Sequence, residues 1–339
     1  MAHTLNLPNH PQPLTSSQVI PPLTCSHIVF YKHPRTSRSL TTEHYGQAQK
    51  LAILIQRTPC RLFIVPIINC CAIIDADDID REQYGPPEGD TTVRHALASL
   101  LTRLNGPSLS PLSTVDPSCI LLTGGASTTL VWLLLAFTQP KGATRRLFMP
   151  SATFHLTFPT LRDVGYTLPS DVTWSGQAAD VEGIREDSEG IDVEALERRL
   201  VQLDAEAEQH RFASASAATV PAGRKIFRYV IYLVPTFSNP TGIVLSAARR
   251  ERLVQLAVKH DMLIICDDVY EYLFYSEDYK DRRPLRLAAV DKAIGQGRNV
   301  VSNGSFSKIL APGSRFGWIE GHVGVISFAI VSLLTHGSA

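Results

Sequence analysis

Between Thr92 and Leu104 the apolar residues Val93, Ala96, Leu97, Leu100, Leu101 and Leu104 recur every three or four positions. That period predicts an amphipathic helix, and Asn105-Gly106-Pro107 stops it. Further along, short apolar runs alternate with helical patterns. Cys119–Leu122, Arg146–Met149, Tyr229–Val234, Met262–Cys266 and Asn299–Ser302 read as strands. Helices are predicted after the first strand to about Phe137, from about Phe154 to Val164, from Asp192 to Leu203, and from Ser246 to His260 with Ser246 as N-cap. Continuous apolar strands separated by helices specify an α/β fold, a three-layer αβα sandwich with a mainly parallel central sheet covered on both faces. Ligands of such sheets bind beyond the carboxyl ends of the strands. There is no internal repeat.

The front of the chain departs from this pattern. Residues 1 to about 45 are rich in Pro, Ser, Thr and His and show no sustained period, as expected of an irregular arm. They carry no cationic segment followed by an apolar one, so no secretory signal is expected. Leu62 to Ile74 is apolar but contains Pro66 and Asn69 and is shorter than the roughly 20 residues a membrane-spanning helix needs, so no membrane span is expected.

Composition narrows the partner. Of 339 residues 44% are hydrophobic and only 19% charged, and 32 Lys and Arg balance 32 Asp and Glu. A chain with no clustered excess of cations is not built to hold nucleic acid, which leaves a small molecule. The six cysteines, Cys25, Cys60, Cys70, Cys71, Cys119 and Cys266, form no CxxC pair and no Cys/His metal spacing. They read as reduced, buried thiols of an intracellular, cytoplasmic protein with no metal site.

Polar clusters follow the predicted strands. After the first comes Thr123-Gly124-Gly125-Ala126-Ser127, after a later one Pro235-Thr236-Phe237-Ser238-Asn239-Pro240-Thr241-Gly242, then Asp267-Asp268-Val269-Tyr270, and after the last Ser305-Phe306-Ser307-Lys308. Taken singly each has a plain structural reading: a tight strand-to-helix turn, good turn chemistry, a helix cap, a solvated lysine. Together they place four polar clusters on one edge of the sheet.

In order and composition these clusters resemble the class I/II aminotransferases, fold-type I enzymes that use pyridoxal 5'-phosphate. The resemblance is densest over residues 235–275 and 302–318 and extends back to YGPPEGDTTVRHALASLL at 84–101. Within the family it is nearest the branch of 2-aminoadipate and aromatic amino-acid aminotransferases. It implies an amino-group transfer between an amino acid and a 2-oxo acid with ping-pong kinetics. Lys308 matches the lysine that forms the internal aldimine and, once freed, moves a proton from Cα as general acid/base. Asp267 matches the carboxylate that pairs with the pyridine nitrogen, and Tyr270 and Asn239 the groups that hydrogen-bond the ring oxygen. Ala126, Ser127, Ser305, Ser307 and Arg315 match the phosphate site. Phe154 falls where relatives carry an aromatic that stacks on the ring. Tyr84 matches a tyrosine that reaches the neighbouring subunit's phosphate, which implies a homodimer with shared sites.

Two segments lie outside the resemblance. Lys50–Ile74 stands where relatives carry a glycine-bearing segment over the substrate, and lacks that pattern. After Glu320 the tail His322–Ala339 holds no arginine and takes the place of the smaller C-terminal domain, which supplies the arginine for the substrate carboxylate. The expected organisation is therefore an irregular front over residues 1–80, a cofactor-binding large domain over 81–321, and an aberrant tail over 322–339. The chain is expected to be C-terminally truncated, with the small domain largely missing. Two other readings follow from the same residues: another pyridoxal-phosphate reaction on this fold, such as a lyase or decarboxylase, and a catalytically impaired cofactor-binding paralogue.

Overall fold

The computed structural model describes residues 85–106, 110–172, 179–210, 225–274 and 283–336. The predicted N-terminal arm and the apolar segment Leu62–Ile74 lie outside these residues.

The predicted helix near Thr92 is α1, Thr91–Asn105; the Asp90 carboxylate accepts from the Val93 N–H at its start, and Gly106 closes it at φ 70°. There follow β1 (Ile120–Thr123), α2 (Ala126–Phe137), β2 (Arg146–Pro150), α3 (Thr157–Asp163) and β3 (Val181–Ile184). A small hairpin, β4 (Glu186–Asp187) and β5 (Gly190–Ile191), leads into α4 (Val193–His210). Next are β6 (Tyr229–Leu233), α5 (Ala247–His260), β7 (Met262–Asp267), α6 (Leu287–Val290), β8 (Val300–Ser305), β9 (Gly317–Glu320) and α7 (Val323–His336). Ser246 caps α5 through its side chain, as its position in the sequence predicts.

Seven strands form one sheet in the order β1-β9-β8-β7-β6-β2-β3. The pairs β2–β3, β2–β6, β6–β7 and β7–β8 are parallel, and β9 runs antiparallel to both β1 and β8. The mainly parallel sandwich therefore stands. Alternation along the buried strands supplies two cores. On one face Val230, Tyr232, Leu263, Ile265 and Val301 pack with α2, α3 and α7. On the other Tyr229, Ile231, Ile264, Cys266 and Val300 pack with α4, α5 and α6. A third cluster joins α1 to β1 and Trp318 of β9.

Of the elements that sequence periodicity did not predict, β3, the β4–β5 hairpin and β9 are short or carry charge and glycine, so their pattern is weak; α6 is a single turn, and α7 lies in the tail read as aberrant. The strand predicted at Asn299–Ser302 runs on to Ser305 because Asn303 and Ser305, though polar, are buried and continue the ladder. Gly304 is needed there, since a β-carbon would come within 2.1 Å of the Trp318 ring. α4 continues past Leu203 on the helix-forming stretch DAEAEQH.

The tail after Glu320 is an apolar helix, α7, that lies against α2 with Val325, Ile326, Ala329 and Ile330 in the shared core. α2 is thus enclosed between sheet and helix, which accounts for its nearly continuous apolar sequence. Among the described residues no helix is long and apolar enough to cross a membrane.

Candidate active site

Because β1, β6, β7 and β8 run the same way, the turns that follow them open on one edge of the sheet, and their polar residues meet there. A cavity of about 260 Å3 at that edge is lined by Ala126, Ser127, Phe154, Asn239, Asp267, Tyr270, Ser305, Ser307, Lys308 and Arg315, joined by Val234, Val269 and Pro312. Every described residue singled out from the sequence as a site residue is in that lining. Tyr84 lies outside the described residues.

Each group is held by its own element. Gly125 begins α2 at φ 108°, a conformation open chiefly to glycine. It leaves the first N–H groups of the helix, at Ala126 and Ser127, free of intrahelical partners and facing outward at the positive end of the helix dipole. Arg315, in the left-handed region at φ 47°, lays its guanidinium over this turn, with Nη2 donating to the Gly124 carbonyl at 3.3 Å. The Ser305 hydroxyl donates to Ser307 Oγ at 3.0 Å and accepts from the Ser307 N–H at 3.1 Å. Two hydroxyls, two N–H groups and a guanidinium converging on one mouth form an anion cup.

Asn239 and Tyr270 come from different turns, and Asn239 Nδ2 donates to the Tyr270 hydroxyl at 3.4 Å. The Asn239 loop is anchored from below. The buried Arg250 of α5 donates to the carbonyls of Leu245, Pro235 and Leu285 and to Thr236 Oγ1, and Thr236 donates to the buried Glu271 beside Tyr270. One interior cation thereby fixes both turns.

The neighbouring carboxylates at the end of β7 diverge. Asp268 turns to the α5–α6 side, where Arg286 and Ser302 take it. Asp267 faces the α2–α3 side at the floor of the cavity. Its Oδ2 accepts from the Tyr232 hydroxyl at 2.7 Å, and its Oδ1 is buried without a hydrogen-bond partner. Burial pushes the Asp267 carboxyl up from 3.8 to about 6; Asp268 adds to the rise, while the Tyr232 hydrogen bond and Lys308 oppose it. Phe154 stands in the loop ahead of α3 rather than inside the helix predicted from about residue 154, with its ring on the cavity wall.

Sequence reasoning overlooked Tyr232 and Asn303. Asn303, fully buried on β8, donates to the Ala126 carbonyl at 2.9 Å and so ties the start of α2 to the central strands. For Tyr232 the available signal was a polar tip inside an apolar strand; Asn303 lies among Ser302, Gly304 and Ser305, where no such contrast marks it. Among the described residues no group of three or more His, Cys, Asp and Glu side chains is placed to hold a metal ion.

The raised Asp267 value carries a sign that can be checked. Between pH 4 and 6 the folded chain holds a proton that the unfolded chain has released, so stability falls as pH rises through this window and levels off above it. Asp267→Asn removes that penalty. The variant is expected to be more stable than wild type by about 3 kcal/mol at pH 8 and no more stable below pH 4. Urea unfolding at the two pH values measures the difference.

Comparison with known proteins places this architecture. The sequence profile of the family described as "Aminotransferase class I and II" matches residues 70–335. An uncharacterised protein of Saccharomyces cerevisiae is 34% identical over 246 residues, which cover 70% of this chain and 53% of that one. Aromatic-amino-acid aminotransferase 1 of Thermococcus litoralis is 31% identical over 237 residues, 70% of this chain and 45% of that one. Among solved structures, Pyrococcus horikoshii kynurenine aminotransferase superposes with a TM-score of 0.56 at 24% identity, covering 87% of this chain and 65% of that one. The chain spans about half the length of the curated relatives it matches. The family match reaches residue 335 in α7, so the tail after Glu320, read from the sequence as lying outside the resemblance, falls within the matched residues.

Proposed function

The chain belongs to the class I and II aminotransferase family, and on that premise we propose that it is a pyridoxal-phosphate-dependent aminotransferase, exchanging an amino group between an amino acid and a 2-oxo acid in two half-reactions. The observation that carries this reading is the convergence of one anion cup, one unpartnered buried carboxylate oxygen and one lysine on a single cavity.

The residues fit the cofactor. Its phosphate suits the α2 N-terminus with Ser305, Ser307 and Arg315, and its protonated ring nitrogen suits the bare Oδ1 of Asp267. When bound, pyridoxal phosphate supplies an electron sink for the pair left on a substrate Cα as its proton departs. The protein does the rest. The cup fixes the phosphate end and so the orientation of the ring. Phe154 covers a ring face. Asp267 holds the proton on the ring nitrogen, and Asn239 and Tyr270 donate to the ring oxygen. Lys308 is the one amine in the cavity lining, and it takes the proton from Cα and returns it as a general acid/base. Homodimeric assembly and a cytoplasmic location belong to the same proposal and rest on the resemblance around Tyr84 and on the cysteine pattern.

The test is a pair of half-reactions. Full-length protein loaded with pyridoxal phosphate is mixed with single amino acids and no 2-oxo acid. The visible absorbance of the cofactor is expected to fall once, stoichiometrically, and to recover when a 2-oxo acid is added. Continuous release of ammonia or carbon dioxide marks a lyase or decarboxylase instead. An unchanged spectrum across the twenty amino acids marks a binding protein without turnover.

A further inference from the structure

Tyr232 is an expensive residue to place where it is. It lies in the middle of β6, 1% exposed, on the face that β6 and β7 present to α2 and α3. On that face it shares a core with the apolar Val230, Leu263 and Ile265, and burying a phenol among apolar side chains costs free energy unless the hydroxyl is bonded. The bond it makes is to Oδ2 of Asp267 on the adjacent strand, at 2.7 Å. That bond leaves Oδ1 as the part of the carboxylate with no partner, in a residue that lines the cavity.

We infer that Tyr232 is a positioning residue of this site, its phenol fixing the Asp267 carboxylate so that Oδ2 is engaged beneath the cavity floor and Oδ1 is kept for the ligand. The inference rests on the aminotransferase reading only for the identity of that ligand. With Oδ2 engaged, the carboxylate cannot rotate about χ2 without breaking a buried charge-assisted bond. The same bond favours the charged form of Asp267 against its burial. The other groups acting on the carboxylate are Asp268, which opposes the charge, and Lys308, which supports it. Those acting on the phenol besides Asp267 are Thr157 and Tyr270. The phenol itself is held well above its ordinary range, by burial first and by Asp267 next, so it remains a donor at every working pH.

The test uses two changes of opposite sense at one position. Tyr232→Phe deletes the donor at constant shape, and 3-fluorotyrosine incorporated at Tyr232 makes it a stronger one. In cofactor-free protein with 13C-labelled aspartate carboxyls, the Asp267 resonance is assigned by its loss in Asp267→Asn. Its titration midpoint is expected to move up in Tyr232→Phe and down with fluorotyrosine. In parallel, affinity for pyridoxal phosphate at pH 7.5 is expected to fall about 10-fold in Tyr232→Phe, the scale of one hydrogen bond to a charged group. In an Asp267→Asn background the same change is expected to cost less than about 2-fold.

A midpoint that stays put with both changes, or an affinity loss equal in the two backgrounds, overturns the inference while leaving the aminotransferase reading intact. Midpoints that move in wild-type background while the chain takes up no pyridoxal phosphate overturn that reading and uphold the role of Tyr232. If Tyr232→Phe does not fold, the fluorotyrosine shift alone decides.

Discussion

A Lys308→Ala chain loaded with pyridoxal phosphate is expected to turn over its amino acid at least about 10,000-fold more slowly than wild type, the upper range for a lost general base. The structure explains why no other residue takes over. The cavity lining contains one carboxylate, Asp267, one guanidinium, Arg315, and no amine besides Lys308. Asp267 is engaged on one oxygen by Tyr232 and sits at the floor, and the Arg315 guanidinium is a donor with no acceptor to take a proton. Lys308 itself is exposed at the end of the Ser305–Ser307 turn, so its truncation removes no packing and leaves the cup and the floor in place. Cofactor retention is therefore expected to fall far less than turnover, and exogenous small amines should restore part of the rate. Borohydride should fix the cofactor to wild-type chain and not to the variant. A variant that keeps a tenth of the wild-type rate, or that is still labelled covalently in the cavity, removes Lys308 from its assigned role.

The sequence made this edge of the sheet legible because strand ends and turn chemistry are local signals. Apolar runs such as Met262–Cys266 locate a strand, parallel order puts its carboxyl end beside the others, and the polar clusters holding Asp267, Lys308 and Asn239 follow from position, while the role of each residue comes from the resemblance. Sequence reasoning is weaker where an element's identity comes from its neighbours. β9 carries Gly317 and Glu320 and reads as a strand only because β1 and β8 flank it on either side. Tyr232 and Asn303 look like tolerated polar residues until pairing sets Tyr232 beside Asp267 and brings Asn303 to the start of α2. The tail after Glu320 shows the same dependence, for its apolar residues gain meaning from the face of α2 they cover.

The opposite side of β7 sets the largest expected change in stability. Arg286, 5% exposed, donates to Asp268 Oδ2 at 3.2 Å and to Glu320 Oε2 at 2.6 Å, and bonds Ser302 between them. Burial raises Asp268 to about 6 even with Arg286 beside it. Burial alone would raise Glu320 as well, but Arg286 and Lys292 more than offset that and hold it below its ordinary range. Arg286→Ala leaves two buried carboxylates with no interior cation between them, and is expected to cost about 3–5 kcal/mol, or about 10 °C in melting temperature for a domain of this size. The sign with pH is fixed by Glu320. In wild type its depressed value contributes stability above the unfolded-state value of about 4.5 and loses it as pH falls through the folded-state value. In the variant the contribution turns into a penalty above pH 4.5, so the deficit should be largest near neutrality and shrink as the carboxylates protonate. A triple variant, Arg286→Met with Asp268→Asn and Glu320→Gln, removes the stranded charges together and is expected to recover most of the loss. Melting curves at pH 5 and pH 8 decide it: a deficit equal at both values means that the guanidinium contributes packing rather than charge compensation. Since Asp268 adjoins Asp267 and Ser302 lies one residue before Asn303, looser strand ends on this face should also weaken cofactor binding on the other.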